Sequence, residues 1–313
     1  MHHRIDCPPR GRAARALRRG RQLTLALCGA MAMAVPVWAQ DATALTARHA
    51  ALRSALASNA FGRPLVLESS EPAGGLRGDI YARIDQAFSV VGPALQGSKN
   101  WCDILMLHLN IKQCRTGASP AGPTLGLLIG SKRDQPLGQD YEVNFVYQRA
   151  AVRPDYLQLQ LSADQGPLGT SHYRIVLEVV ALDAGSSFLH LSYAYDYGLS
   201  ARLAMQAYLA TLGRSKVGFS VIGQGGDGQP RYIGQLRGVV ERNTMRYYLA
   251  IEAYLGALAT PPADQTEKRL RDWFDAVERY PQQLHDLERN EYLDMKRREV
   301  LRQQAAAKAA KPN

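Results

Sequence analysis

The chain has 313 residues, 46% of them hydrophobic, with 38 lysines and arginines against 28 acids and a formal net charge of +10. That length suffices for one large domain, or a domain with an appendage. The positive charge is no nucleic-acid footprint: no basic stripe interleaved with aromatics occurs, so no nucleic-acid partner is expected.

The charge is concentrated at the start. Arg4, Arg10, Arg12, Arg15, Arg18, Arg19 and Arg21 face one acid, Asp6. An apolar run from Leu23 to Ala34 follows and ends in Val37-Trp38-Ala39, the small-residue pattern that signal peptidase reads. Residues 1–39 are therefore read as a signal peptide cleaved near Ala39, which makes the protein periplasmic or secreted. The alternative, an uncleaved anchor, calls for ~20 apolar residues. Removing residues 1–39 leaves 31 basic against 27 acidic residues, a net charge of only +4.

Residues 40–60 are expected to form an N-terminal helix, with Leu45, Leu52, Ala55 and Leu56 at helical spacing. "PLVLESS" and "RGDIYARID" read as strands split by the turn "EPAGG". "AFSVVGPALQGSKNWCDIL" predicts one or two short helices broken near Gly97-Ser98. "LMLHLNIKQC" alternates Met106, His108 and Asn110 against Leu107, Leu109 and Ile111, the period of a half-buried strand. "TLGLLIGS", "DYEVNFVYQRAAV", "DYLQLQLSAD", "SHYRIVLEVVAL" and "SFLHLSYAYDYG" then read as an antiparallel meander joined by turn clusters.

From Leu199 the period becomes helical, with Leu199, Leu203, Ala207 and Ala210 expected on the inner side. "KVGFSVIGQGGDGQPRYIG" holds a strand and a glycine-rich turn. The run "GQGGDG" lacks the Lys-Ser/Thr of a phosphate loop and the spacing of a dinucleotide fingerprint. "LRGVVERNTMRYYLAIEAYLGAL" is a long, mostly apolar helix. Beyond Pro261-Pro262, residues 264–306 read as a charged helical tail kinked at Pro281, and 307–313 as a disordered end. The tail is expected to pack on the domain, or on a protein or membrane surface.

Cys102 and Cys114 are the cysteines that remain after residue 39. In an oxidising compartment an isolated pair twelve residues apart points to a disulfide. Free or redox-active thiols, and a metal site completed by His108 and Asp103, are the alternatives. No CxxC or HxxxH spacing supports the metal, so no metal and no cofactor are expected. No nucleophile elbow and no HExxH occur.

The segment "DIYARIDQAFSVVGPALQGSKNWCDIL", a strand leading to short helices and a closing Trp, followed by a meander and then "RGVVERNTMRYYLAIEAYL", resembles the START-like, or SRPBCC, helix-grip superfamily. The resemblance spans residues 61–260. It implies an α+β fold: a curved antiparallel sheet wrapped around a long C-terminal helix, here with the helical tail added. It also implies an apolar cavity between sheet and helix that takes lipids or other hydrophobic small molecules, with Trp101 as the loop-closing Trp.

Tyr193, Tyr195 and Tyr197 share one strand face and suit an apolar ligand with a polar end. Arg242 and Arg246, four apart on the long helix with Asn243 between them, could grip a carboxylate or phosphate headgroup. His108 joins them as a candidate contact. The leading expectation is a binding or carrier protein for a lipid or hydrophobic small molecule. The alternatives are a cyclase- or hydrolase-like enzyme using a cavity acid or His108, and an envelope interaction module with a closed core.

Overall fold

The alternation of leucine with glutamine in "YLQLQL" sets one face of a strand against the core, and the same period recurs from Leu65 to Tyr197 in eight strands of one sheet. The structure, a computed structural model, describes residues 41–133, 138, 140–211 and 213–309. The leader read over residues 1–39 lies outside these.

The strands are β1 (Leu65–Ser70), β2 (Gly75–Ile84), β3 (Ile111–Ser119), β4 (Gly122–Ile129), β5 (Tyr141–Val152), β6 (Tyr156–Gln165), β7 (Thr170–Ala181) and β8 (Ser187–Tyr197). Their spatial order is β1-β2-β8-β7-β6-β5-β4-β3, antiparallel throughout. The first hairpin therefore pairs with the last strand of the meander. The turn between β1 and β2 reverses at Gly74, whose φ of 76° is a left-handed conformation that glycine adopts without strain.

The helices α1 (Ala42–Ala51) and α2 (Arg53–Ala57) lie on one face of this sheet. Their Leu45, Leu52 and Leu56 pack on Tyr156, Val180 and Phe188. The other face holds the main core and the helix α6 (Gln235–Gly256). Tyr248, Leu249, Ala250 and Ile251 are four consecutive buried residues, so α6 is enclosed on several sides rather than amphipathic. It rests on β1, β2 and β8, and is flanked by α4 (Ser98–Leu105), α5 (Leu199–Ala210), α7 (Pro262–Glu278) and α8 (Pro281–Leu284). Close approach to β2 is made possible at Gly78, where a Cβ would lie 2.3 Å from Thr244 Oγ1. This is the helix-grip arrangement that the sequence resemblance implies.

α3 (Phe88–Leu95) and α4 break at Gly97, which precedes the first turn of α4. Cys102 of α4 is joined to Cys114 of β3 across a Cα–Cα distance of 5.2 Å, stapling the helix to the strand. No group of three or more His, Cys, Asp or Glu side chains among the described residues could hold a metal ion. Within the same residues, no helix is long and apolar enough to cross a membrane.

Three details differ from the sequence reading. Residues 106–110 are turns, not the beginning of a strand, which starts only at Ile111. Met106, Leu107, His108 and Leu109 are all buried, so their alternation of type is not an alternation of environment. In α5, Leu199 and Leu203 are exposed, at 74% and 56%. Ala201 is buried instead, and Met205 and Leu209 pack on the core, which turns the helix to another face. Near Pro281 the tail does not kink; it ends one helix and starts the short α8, before α9 (Arg289–Ala309). The tail also packs on its own domain: α7 against α6, and α9 against α7 and β3. The described residues form one compact unit.

The seam between α9 and β3 is polar and buried. Lys112 Nζ donates to Glu299 Oε1 at 3.0 Å, and Lys296 Nζ to Glu299 Oε2 at 2.5 Å. Both ammonium groups also reach backbone carbonyls, those of Leu109 and Arg133 for Lys112 and of His108 and Ile111 for Lys296. The short β9 (Val221–Gln224) and β10 (Pro230–Tyr232) form a separate hairpin over the glycine-rich run.

Candidate functional site

Between the inner face of the sheet and α6 lies a cavity of about 150 Å³. Leu127, Phe145, Leu161 and Ile175 supply apolar strand walls, alternating with outward residues as the pleat requires. Tyr173 and Tyr193 add rings from β7 and β8, and Asn243 and Tyr247 face in from α6. The turn after α4 contributes His108 and Asn110.

The rings are continuous. His108 stacks on Tyr247 at 4.8 Å between centroids, Tyr247 meets Tyr193 at 5.3 Å, and Tyr193 meets Tyr195 at 5.5 Å. Tyr195 in turn stacks on Tyr173 at 5.2 Å. Burial pushes the phenols of Tyr193, Tyr195 and Tyr247 above their usual range, so each keeps its proton at neutral pH.

His108 is the polar pole of this wall. Its Nδ1 accepts the Asn110 backbone N–H at 3.1 Å. Burial first, and then the charges of Arg246, Lys296 and Lys132, hold the ring well below its ordinary pKa. A neutral imidazole with Nδ1 accepting carries its proton on Nε2. That Nε2 is buried and has no hydrogen-bond partner among the described residues. An unpaired buried donor costs ~1–3 kcal/mol, and an acceptor delivered by a ligand would recover part of that.

The predicted contacts divide between several places. His108, Tyr193 and Asn243 line the cavity, and Tyr195 backs it through the ring chain. Trp101 is a buried core residue whose indole N–H donates to the Leu95 carbonyl at 2.7 Å, closing the α3–α4 loop. Tyr197 sits at the strand end with its hydroxyl on Glu71.

The arginine grip is not built. On α6, Asn243 and Tyr247 face the cavity, while Arg242 and Arg246, four apart, face the segments that wrap the helix. Arg242 donates to the Val217 carbonyl at 3.1 Å. Arg246 donates to Asp286 at 2.5 Å and to the Leu284 carbonyl at 3.3 Å. Asp286 also accepts from Lys132 at 2.8 Å. Both arginines serve the fold rather than a headgroup.

The volume narrows the ligand class as well. An apolar cavity of about 150 Å³ takes one benzene-sized ring, which is the scale of the space between sheet and α6. No carboxylate lines the cavity. Of the two candidates for the cyclase- or hydrolase-like alternative, no cavity acid stands in the wall among the described residues, while His108 does, and the strongly shifted histidine and tyrosines of that alternative are present.

Sequence reasoning missed Tyr173 and Tyr247. Tyr173 was open to inspection, since it shares the inward period of "YRIVLEV" with Ile175 and Leu177. Tyr247 was hidden because the helix around it is buried on several sides, so no single face marks the cavity.

No protein-family model and no curated protein sequence matches the chain. Among solved structures it is similar to norcoclaurine synthase from Thalictrum flavum, at 12% identity over 48% of this chain and 82% of that one, with a TM-score of 0.29. A START superfamily protein from Mycobacterium smegmatis shows 14% identity over 48% and 92% of the two chains, with a TM-score of 0.30. A human lipid transfer and protein localization domain shows 10% identity over 46% and 76%, with a TM-score of 0.30.

Proposed function

We propose that the protein binds a small, predominantly apolar, ring-bearing molecule carrying one hydrogen-bond acceptor, in the cavity between sheet and α6, without chemical conversion. The observation that carries this reading is the buried, unpartnered Nε2 of His108 beside an aromatic cavity of about 150 Å³. A carbonyl or ether oxygen on the ligand would accept from it, while Phe145, Tyr193 and Tyr247 would bury the ring. The binding reading is favoured over catalysis because the lone pair of His108 lies on Nδ1 and is already engaged by Asn110. The ring is thus arranged to donate, not to abstract a proton.

The same reading places the protein in the periplasm or outside the cell after loss of residues 1–39. The arginine-rich start, the apolar run and the Val37-Trp38-Ala39 ending support that, together with a disulfide of the kind found in oxidising compartments.

Calorimetric titration with acetophenone and with ethylbenzene tests the proposal. Acetophenone is expected to bind roughly tenfold more tightly, a difference of about 1.4 kcal/mol for one added hydrogen bond. His108→Phe is expected to abolish the preference. Equal affinities in the native protein would overturn the assignment of His108 as donor.

A further inference from the structure

A second and larger void lies outside the cavity, an open cleft of about 890 Å³. Its walls come largely from three segments far apart in the chain. The loop after α2 gives Phe61 and Arg63, the stretch between α5 and α6 gives Phe219 and Tyr232, and the tail gives Arg279 and Tyr280. The core itself contributes the end of β2 and the last turns of α6, with Gln86 and Glu252. Three separate segments thus converge on one ligand-sized depression.

Its surface is aromatic and polar. Phe61, Phe219 and Tyr280 form a three-ring wall with centroid distances of 5.4 to 6.1 Å. Two polar atoms of cleft residues are buried with no hydrogen-bond partner among the described residues: the donor Arg63 Nη1 and the acceptor Gln86 Oε1. The other terminal nitrogen of Arg63, Nη2, is held by Glu252, which also accepts from the Tyr248 hydroxyl at 2.7 Å. The neighbouring Gln86 Nε2 points at the Leu255 carbonyl at 3.4 Å. The orphan donor and orphan acceptor are therefore fixed by partners on their other sides. Three arginines, Arg63, Arg83 and Arg279, face two carboxylates, Asp85 and Glu252, leaving one positive charge in excess.

We infer that this cleft is a binding site for an aromatic monocarboxylate that carries a hydrogen-bond donor on its ring. The ring stacks on the Phe61–Phe219–Tyr280 wall. The carboxylate takes the free N–H of Arg63 and the charge of exposed Arg279. The ring donor satisfies Gln86 Oε1. Each half of the ligand answers one unpaired group that the fold otherwise leaves buried.

The test uses indole-2-carboxylate, its methyl ester and 2-naphthoate in calorimetric titrations of residues 40–313. The acid is expected to bind at least tenfold more tightly than the ester, and several-fold more tightly than 2-naphthoate, which lacks the N–H. Arg279→Gln, an exposed position whose change leaves the core intact, is expected to erase most of the acid–ester difference. Gln86→Leu is expected to erase the difference between the indole and the naphthalene. His108→Phe, in the inner cavity, is expected to change neither. Equal binding of acid and ester, indifference to both cleft substitutions, loss of binding in His108→Phe, or no binding at millimolar ligand would each overturn the inference.

Discussion

His190 of β8 and Glu178 of β7 face each other directly across the strand pair, Nδ1 to Oε2 at 2.8 Å, and the other ring nitrogen reaches Asp79 Oδ1 at 2.8 Å. Both nitrogens must carry a proton to satisfy two carboxylates, so the geometry selects the imidazolium. Tyr81 stacks on the ring at 4.4 Å, and the Tyr156 hydroxyl donates to Glu178 at 2.6 Å. The network lies on the sheet face that α1 and α2 cover. Such a buried charge is tolerated because every member has a partner.

The two buried histidines together are expected to favour the fold most near pH ~6.5. Burial opposes the charge of His190, but its bonds to Asp79 and Glu178 outweigh burial and raise its pKa. A raised histidine contributes stability that is full below its unfolded value of ~6.5 and is lost as pH rises through the folded value. His108 has the opposite sign: held neutral in the fold, it lowers stability as pH falls below ~6.5. Burial of Asp79 is outweighed by His190 and Arg77, which bring its pKa to about 2, so its contribution is lost between pH ~4 and 2. Urea unfolding across pH should show the alkaline decline vanish in His190→Gln and the decline below pH 6.5 weaken in His108→Phe. A flat profile from pH 6 to 9 in the native protein would contradict the His190 assignment.

Glu299→Gln is expected to destabilise the protein by about 3–5 kcal/mol, because it strands the buried ammonium groups of Lys112 and Lys296. Burial already brings Lys296 down to about 8 despite Glu299. Removing the half-exposed Lys268–Asp272 pair should cost less than 1 kcal/mol. Chemical denaturation of the two variants measures the contrast. Equal small losses would mean that the tail is not anchored by Glu299.

The double substitution of Cys102 and Cys114 by alanine should lower stability by about 3 kcal/mol, the loop-closure value for so short a ring. Non-reducing peptide mapping of the native protein should recover the joined peptides. Free thiols in protein purified from an oxidising compartment would remove the staple.

Gly78→Ala should cost about 1–3 kcal/mol, since the new methyl would meet Thr244 Oγ1 at 2.3 Å and press α6 away from β2. Adding Thr244→Ala should restore part of the loss. Thermal melting of the single and double variants decides this. A neutral single variant would show that the helix has room to shift.

The strands were legible because each repeats one period against one wall: Leu157, Leu159 and Leu161 could only point inward together. The disulfide was legible because Cys102 and Cys114 are the only cysteines after residue 39 and stand twelve positions apart. His108 misled because its leucine-flanked alternation mimics a strand, whereas a turn buries every residue from Met106 to Leu109. The arginines of α6 misled because chemistry alone does not say which face of an enclosed helix meets the cavity. What lay beyond reading are pairings between distant segments. Lys112 meets Glu299 across 187 positions, and Arg63 meets Glu252 across 189. Neither partner carries any local sign of the other.

The most direct measurement of the central claim is nitrogen-15 NMR of the His108 ring in the protein, with and without saturating acetophenone. The proposal predicts a ring that is neutral and protonated at Nε2 at pH 6.5, whose Nε2 proton moves downfield when the ligand binds. A ring that titrates near 6.5, or an Nε2–H resonance indifferent to the ligand, would contradict the claim that His108 is the donor of a ligand cavity.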